Sequence, residues 1–498
     1  MNIFQPIEFF ENNESYQFLP FRFRRFGNDH YLLTSIGGEF IFLNNVDFFK
    51  FRKKELSRKS GTYRDLRAKG FLIDAHSAHL DIFASRLWTK KSIIKGFTKL
   101  HIFVLTLRCN CSCTYCQVTR QDEDSGTAYD MSIETARKSV ELMMQSPSDD
   151  ITVEFQGGEP LLNYPVLKEI VCYAKKLNDS FGKNLSFVVC TNLSRLDDEM
   201  LDFFHKEGVS ISTSLDGPED LHNRNRCRHV RTATYDVVTR NIRKAQEALG
   251  RQSVSALMTT TRDSLCYAKE IVDEYLRLDL GSMFVRALNP YGYAVKTRKA
   301  IGYSVEDFVS FYKCVLDYIL EVNKSGQFFS EAYSTLLLRK ILTPWPVGFV
   351  DLQSPTGNGF AVTVYNYDGD VYASDESRML AEMGDSKFRL GSVHYDSYKD
   401  IYFSKAVQCL AGNGIAECLA GCSDCAFVPY CGADPVRHYA TQHDEYGNRA
   451  TSDFCKKNSM IFEHLFDLLK QENEEIEEIF WSWIQECSLE QIHVDREN

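Results

Sequence analysis

Between residues 99 and 300, short apolar runs alternate with amphipathic stretches, and few folds satisfy that rhythm. "KLHIFVLTL" leads into a cysteine cluster; "DITVEFQGG", "NLSFVVCTN", "VSISTSLDG", "SVSALMTTT" and "GSMFVRAL" follow at intervals. The stretches between them carry helical spacing, among them "SIETARKSVELMMQS", with Ser132 as its N-cap, and "TYDVVTRNIRKAQEALG". Apolar β runs separated by amphipathic helices predict a parallel sheet with helices outside, a barrel or part of one. The six strands counted here fall short of a complete eight-stranded barrel.

A chain of 498 residues exceeds one ordinary core, so two or three domains are expected. Residues 1–92 read as a small module. "HYLLTS" and "GEFIFLNN" predict strands turned at Gly37–Gly38, and "VDFFKFRKKEL" and "TYRDLRAKG" predict helices, the second stopped by Gly70. Residues 93–300 form the alternating region. From 301 to 460, two helices precede a hairpin, "FAVTVYNY" and "DVYAS", turned at Asp368–Gly369, and then a second cysteine-rich stretch. Residues 461–498 read as a C-terminal helix whose "QENEEIEEIF" segment presents a solvated acidic face.

The net charge of -11 argues against a nucleic-acid partner, which needs a basic face. No run of 18 uncharged apolar residues occurs, so no membrane span is expected. Glutamates stand near the N-terminus where a signal peptide would carry lysines, which predicts a cytoplasmic protein. Disulfides are rare in a reducing cytosol, so clustered cysteines there read as metal-binding or reactive.

Two clusters stand out. In "CNCSCTYC", Cys109, Cys113 and Cys116 have C-x3-C-x2-C spacing, and Cys111 lies off that pattern. Three thiolates at the end of a strand would hold a cube with one iron open, since such clusters take four ligands. A structural zinc site or a chance cluster is the alternative. Farther on, Cys422, Cys425, Cys431 and Cys455 give C-x2-C-x5-C and a distant fourth thiol, a complete set for a closed centre. Zinc fits that spacing as well. Cys172, Cys190, Cys227, Cys266, Cys314 and Cys487 read as buried or incidental thiols.

C-x3-C-x-aromatic-C, with Tyr115 as the aromatic residue, resembles the signature of radical S-adenosylmethionine (SAM) enzymes. "FQGGEP" resembles that family's GGE motif, which implies that Gly157, Gly158 and Glu159 meet the amino group of the methionine moiety. "CTN" and "STSLDGP", at the next two strand ends, and "HNRNR" after them imply Thr191, Asn192, Ser214, Asp216 and Arg226 as further SAM contacts. The resemblance implies an α/β fold with a partial (β/α)6 TIM-type barrel, in agreement with the strand count. The second cysteine cluster resembles the SPASM, or twitch-type, extension, which holds an auxiliary [4Fe–4S] cluster. Two usual ligand positions of that extension lack cysteine here: "CGADP" offers Asp434, and "SDE" offers Ser374, Asp375 and Glu376. A first auxiliary cluster is therefore expected to be absent, although carboxylate ligation by Asp434 stays open. Cys409 and Cys418 do not match the spacing.

From about residue 15 to 465 the wording resembles the His-Xaa-Ser system radical SAM maturases, found beside short precursor peptides. The N-terminal module is similar in outline to their winged-helix-like peptide-recognition element, which captures a peptide by strand addition; an ordinary packing domain is the equal alternative. The resemblance implies two [4Fe–4S] clusters and SAM as cofactors. It implies reductive cleavage of SAM to a 5′-deoxyadenosyl radical, which modifies, and is expected to cross-link, a precursor peptide. A reductant such as flavodoxin or ferredoxin and a second maturase are the implied partners. Asp216, Asp375 and Asp434 are the candidate catalytic carboxylates. Maturation of a folded protein, as in anaerobic sulfatase maturases, is one alternative; a non-enzymatic Fe–S electron carrier is another.

Overall fold

The computed structural model describes residues 16–74, 79–226 and 233–492. Cys227 lies outside the described residues.

All six expected barrel strands form. In chain order they follow three strands of the N-terminal module: β1 (Phe21–Phe26), β2 (His30–Ser35) and β3 (Phe40–Asn44). The six are β4 (Leu100–Thr106), β5 (Asp150–Gly157), β6 (Asn184–Cys190), β7 (Val209–Ser214), β8 (Val254–Thr259) and β9 (Ser282–Arg286). They pair in parallel, each beside the next. Nearly all of β4 is buried, as a strand covered on both faces must be, and so it reads as one apolar run. Ser132 caps the helix Ile133–Met144, accepting the Thr135 N–H at 3.0 Å.

The count of six was too low for the sheet as a whole. Two more parallel strands flank the set: β10 (Ser330–Glu331) beside β9, and β11 (Val362–Tyr365) beside β4. The expected hairpin is present as β11 and β12 (Asp370–Tyr372), and β13 (Arg389–Ser392) adds to it antiparallel. The result is one mixed sheet of ten strands that joins residues on both sides of position 300. The alternation could not reveal this, because β11 reaches the sheet from about 75 residues beyond β9 with no helix–strand rhythm leading to it.

Side chains make that return specific. His101 on β4 is fully buried, with Nδ1 3.0 Å from the Tyr365 hydroxyl on β11 and Nε2 3.2 Å from the Thr98 carbonyl. Phe103 packs against Tyr365 at 4.9 Å and Phe155 at 6.3 Å between ring centroids.

In the N-terminal module, β1, β2 and β3 form an antiparallel sheet in that order. The "HYLLTS" and "GEFIFLNN" strands and the Gly37–Gly38 turn agree with expectation. The preceding "FRFRRF" strand was not expected, because its arginines mask an alternating pattern. Helices Asn45–Lys53 and Gly61–Ala68 follow, capped by Asn44 and Ser60. Gly70, at φ +70°, ends the second: its N–H reaches the Arg67 carbonyl and Phe71 N–H the Leu66 carbonyl. Leu33, Phe48, Phe51, Leu66 and Phe71 fill a small separate core.

The expected single C-terminal helix is two, Asp453–Lys470 and Glu474–Gln485. Glu472 turns left-handed at φ 50° and Asn473 caps the second helix. The break lets Trp483 fold back into full burial, where its indole N–H donates to Asn323 at 3.3 Å.

Burial pushes the His101 imidazole down from 6.5 to about 3. It is neutral when folded and protonated below 6.5 when unfolded, so stability is lost as pH falls from 6.5 toward 3. His101 alone should account for about 2 kcal/mol of the stability lost between pH 7.5 and 5, beside the losses from His222, His438 and His464, which burial also pushes down. Urea midpoints across that range check this, and His101→Gln should flatten the dependence by that amount.

Candidate active site

The cysteine loop leaves the carboxyl end of β4, and its root is clamped from two sides. Arg108 forks onto Asp130, donating at 2.8 and 2.7 Å to its two oxygens. On the other side the Gly158 N–H donates to the Thr106 carbonyl at 2.7 Å, and the Glu159 N–H to the Arg108 carbonyl at 2.8 Å. Only glycine permits this approach. A Cβ on Gly157 would stand 2.2 Å from the Thr106 carbonyl oxygen, and one on Gly158 would stand 2.3 Å from that of Arg108.

In front of the loop lies a cavity of about 330 Å³ at the carboxyl ends of the strands. It gathers Cys109, Cys113, Cys116 and Tyr115 from the loop, Gly157 and Gly158 from β5, and Thr191 and Asn192 after β6. Ser214 from β7 and Arg226 line it as well, as named from the sequence. Burial pushes the Cys113 thiol up to about 12 and raises Cys116; a side-chain hydrogen bond with Cys111, in which the Cys109 thiol donates, and burial raise Cys109. Such shifts favour the protonated thiols, so a metal bound here would have to displace protons. The donor set of two buried thiols and one half-buried thiol facing one cavity fits a cube with an open corner.

Cys111 is not turned away. It is 2% exposed, lines the same cavity, and its sulfur accepts from Asn192 Nδ2 at 3.4 Å. Cys190, read as incidental, also lines the cavity, whereas Cys172, Cys266 and Cys314 are exposed and Cys487 is half-buried.

Two residues named from the sequence lie behind the wall. Glu159 is fully buried and its carboxylate is occupied: it accepts from Thr191 Oγ1 at 2.6 Å, Asn192 N–H at 2.8 Å and Leu161 N–H at 3.1 Å. It therefore ties the ends of β5 and β6 together. Asp216, also fully buried, accepts the Tyr115 hydroxyl at 2.8 Å, and Arg226 Nη1 donates to that hydroxyl at 2.7 Å. Burial pushes the Asp216 carboxyl up to about 6, against the pull of Arg226.

A second cavity, of about 290 Å³, opens beside the first. Glu154, Gln156, Leu257, Arg286, Asn289 and Asp375 belong to both walls. Beyond them it is lined by Phe308, Tyr333, Phe349 and Phe454, with Asp351, Glu376 and Lys457 among them. Burial and the neighbouring Asp351 push Glu376 up to about 8. Asp375 is ion-paired with the fully buried Arg378, accepting its Nε at 3.1 Å. Ser374 caps the helix Asp375–Glu382. Asp434 lines neither cavity: it caps the helix Pro435–Gln442 and accepts from Asn358 Nδ2 at 3.2 Å.

Glu154, Gln156, Arg286 and Asn289 were not singled out from the sequence. The signal was present in period two: Glu154 and Gln156 alternate with the buried Val153 and Phe155, and Arg286 interrupts an apolar strand.

Cys422, Cys425, Cys431 and Cys455 are half-buried and lie close enough to act on one another electrostatically. Burial pushes Cys431 up to about 12. Among the described residues no three His, Cys, Asp or Glu side chains converge on a single-ion site; a cube distributes its thiolates over separate irons. Cys409 and Cys418 are exposed.

Residues 103–274 match the radical SAM superfamily. A cysteine-type anaerobic sulfatase-maturating enzyme of Clostridium novyi (strain NT) is 22% identical over 369 residues, which is 71% of this chain and 91% of that one. Among solved structures, native anSMEcpe with bound AdoMet is similar with a TM-score of 0.60 at 20% identity, over 75% of this chain and 98% of that one. Streptococcus suis SuiB bound to the precursor peptide SuiA gives 0.52 at 14% identity, over 87% and 98%. The sequence match assigns residues 103–274 to the superfamily; the structural likenesses show the fold. No described helix is long and apolar enough to cross a membrane.

Gly158→Ala should destabilise the protein by about 3 kcal/mol, because the new Cβ meets backbone that cannot yield. Gly182→Ala, at φ +66° with open space around it, should cost only about 1 kcal/mol. Parallel urea titrations of the two variants check the contrast.

Proposed function

We propose that this chain is a radical SAM peptide maturase. In this reading Cys109, Cys113 and Cys116 hold a [4Fe–4S] cluster, and Cys422, Cys425, Cys431 and Cys455 hold an auxiliary one. The observation that carries the reading is the joined pair of cavities. One collects the three thiols and the ends of successive strands; the other shares its wall and is roomy, aromatic and polar at once. With the cluster and SAM bound, one-electron cleavage supplies a 5′-deoxyadenosyl radical that abstracts hydrogen from an unactivated C–H bond.

The chain's own residues position and enclose. Thr191, Asn192, Ser214 and Arg226 line the first cavity, where SAM's ribose and carboxylate would be oriented. Tyr115, held between Asp216 and Arg226, stiffens the loop between Cys113 and Cys116. The aromatic wall of the second cavity keeps water from a radical and accepts a substrate side chain. Asp375, beside Glu154 on the shared wall, is a carboxylate placed to meet that side chain. Asp216 and Asp434 are structural in this reading, since neither faces a cavity.

A peptide substrate also suits the N-terminal module. Among the described residues strand β3 pairs only with β2, so its far edge is open. Along it runs a cavity of about 410 Å³ lined by Phe42, Asp47, Asp65, Lys69 and Trp481, a setting for strand addition. Maturation of a folded protein is the second reading, favoured by the match to a sulfatase-maturating enzyme over most of its length.

Anaerobically reconstituted protein should hold about eight irons, fall to about half in Cys431→Ala, and form 5′-deoxyadenosine from SAM under reduction. Cys113→Ala should form none. Co-expression with a precursor peptide encoded beside it, followed by tandem mass spectrometry, should reveal a mass loss of hydrogen. Modification of a sulfatase segment instead would select the second reading.

A further inference from the structure

The N-terminal module does more than sit beside the second cysteine site; its strands grip the loop that carries the thiols. Thr34 Oγ1 on β2 donates to the Ala426 carbonyl at 2.7 Å, and the Tyr430 hydroxyl donates to the Gly38 carbonyl at 3.1 Å. Arg22 on β1 donates through Nε to the carbonyl of Ser423, between Cys422 and Cys425. Arg24, two residues along the same face, pairs with Glu463 and lies over the Phe427 ring at 5.4 Å. Both arginines are close enough to Cys425 to act on its thiol electrostatically.

Arg22 carries an unexplained donor. Its Nη1 is buried and has no hydrogen-bond partner among the described residues. Burying a guanidinium N–H without an acceptor is costly, so a missing acceptor is expected on that side. Beside Cys422 the same situation recurs. Arg449 stands against Cys422; Nη1 meets His438 at 2.6 Å, Nη2 donates to the Tyr446 carbonyl at 2.7 Å, and Nε is buried with no partner among the described residues. Two orphaned guanidinium donors thus flank one set of four thiols.

We infer that Arg22 and Arg449 are positioning residues of the second centre, donating N–H···S hydrogen bonds to its sulfurs and raising its reduction potential. This rests on the reading that Cys422, Cys425, Cys431 and Cys455 hold an iron–sulfur cluster. Hydrogen bonds to the sulfurs and nearby positive charge both favour the reduced, more negative cluster. The assignment makes the N-terminal module an electrostatic part of a centre whose ligands lie some 400 residues away in the chain, since Arg22 and Ser423 are 401 positions apart. It also gives the second centre the character of an electron acceptor.

The test uses full-length protein in a Cys109→Ala, Cys113→Ala, Cys116→Ala background, reconstituted with iron and sulfide so that only the second centre is present. Redox titration followed by electron paramagnetic resonance reads its midpoint. Arg22→Gln should shift the midpoint to lower potential and alter the spectrum, and Arg22→Lys should recover part of the shift. Arg449→Gln, beside Cys422 rather than Cys425, should act in the same direction and serves if Arg22→Gln fails to hold iron. Thr34→Val removes a neutral tether to the same loop and should leave the midpoint in place. Unchanged midpoints in both arginine variants, or an equal shift in Thr34→Val, would overturn the inference. A background protein that binds no iron would instead sink the cluster reading itself, and this inference with it.

Discussion

A main-chain contact sets the first site. Residues 106–108 and 157–159 lie so close that two backbone hydrogen bonds join them and no Cβ fits at Gly157 or Gly158. The cysteine loop is therefore an extension of the sheet rather than a free arm. Its three thiols take their positions from β4 and β5, and the fork of Arg108 onto Asp130 holds the other side of the root. In the proposed reading, a loop rooted on strands in this way would lower the ordering cost of binding a cluster.

Around that contact the charged residues sort into two layers. Glu159 and Asp216 point away from the cavity and hold together the segments that line it. Arg226, Arg286 and Asp375 face it. The inner layer is expensive to bury, and it is offset by hydrogen bonds that leave few lone pairs open. The facing layer lines the space that a ligand would enter. Carboxylates that look alike in sequence thus divide by the number of donors the backbone brings to them.

Much of the site was legible from spacing. The three cysteines, the two glycines, Thr191, Asn192, Ser214 and Arg226 do meet in one cavity, because parallel strands in register place successive strand ends side by side. Glu159 and Asp216 share that address but not that orientation, and orientation depends on which neighbour offers an N–H. Cys111 and Cys190 were set aside by pattern, yet the chain curls them toward the same space. Arg22 could not be found at all: in "FRFRRF" it is one arginine of three.

What the sequence determined by itself is therefore local and periodic: six parallel strands, the Ser132 cap, the Gly70 stop, and the two cysteine clusters. These follow from side-chain period and turn chemistry, which act over a few residues. Tertiary structure decided the rest. It brought β11 home to β4 through His101 and Tyr365, opened a second cavity beside the first, and laid β1 against the loop of residues 422–431. Such contacts join segments hundreds of residues apart, and they are selected by burial and by satisfaction of polar groups in three dimensions, for which no linear spacing is a record.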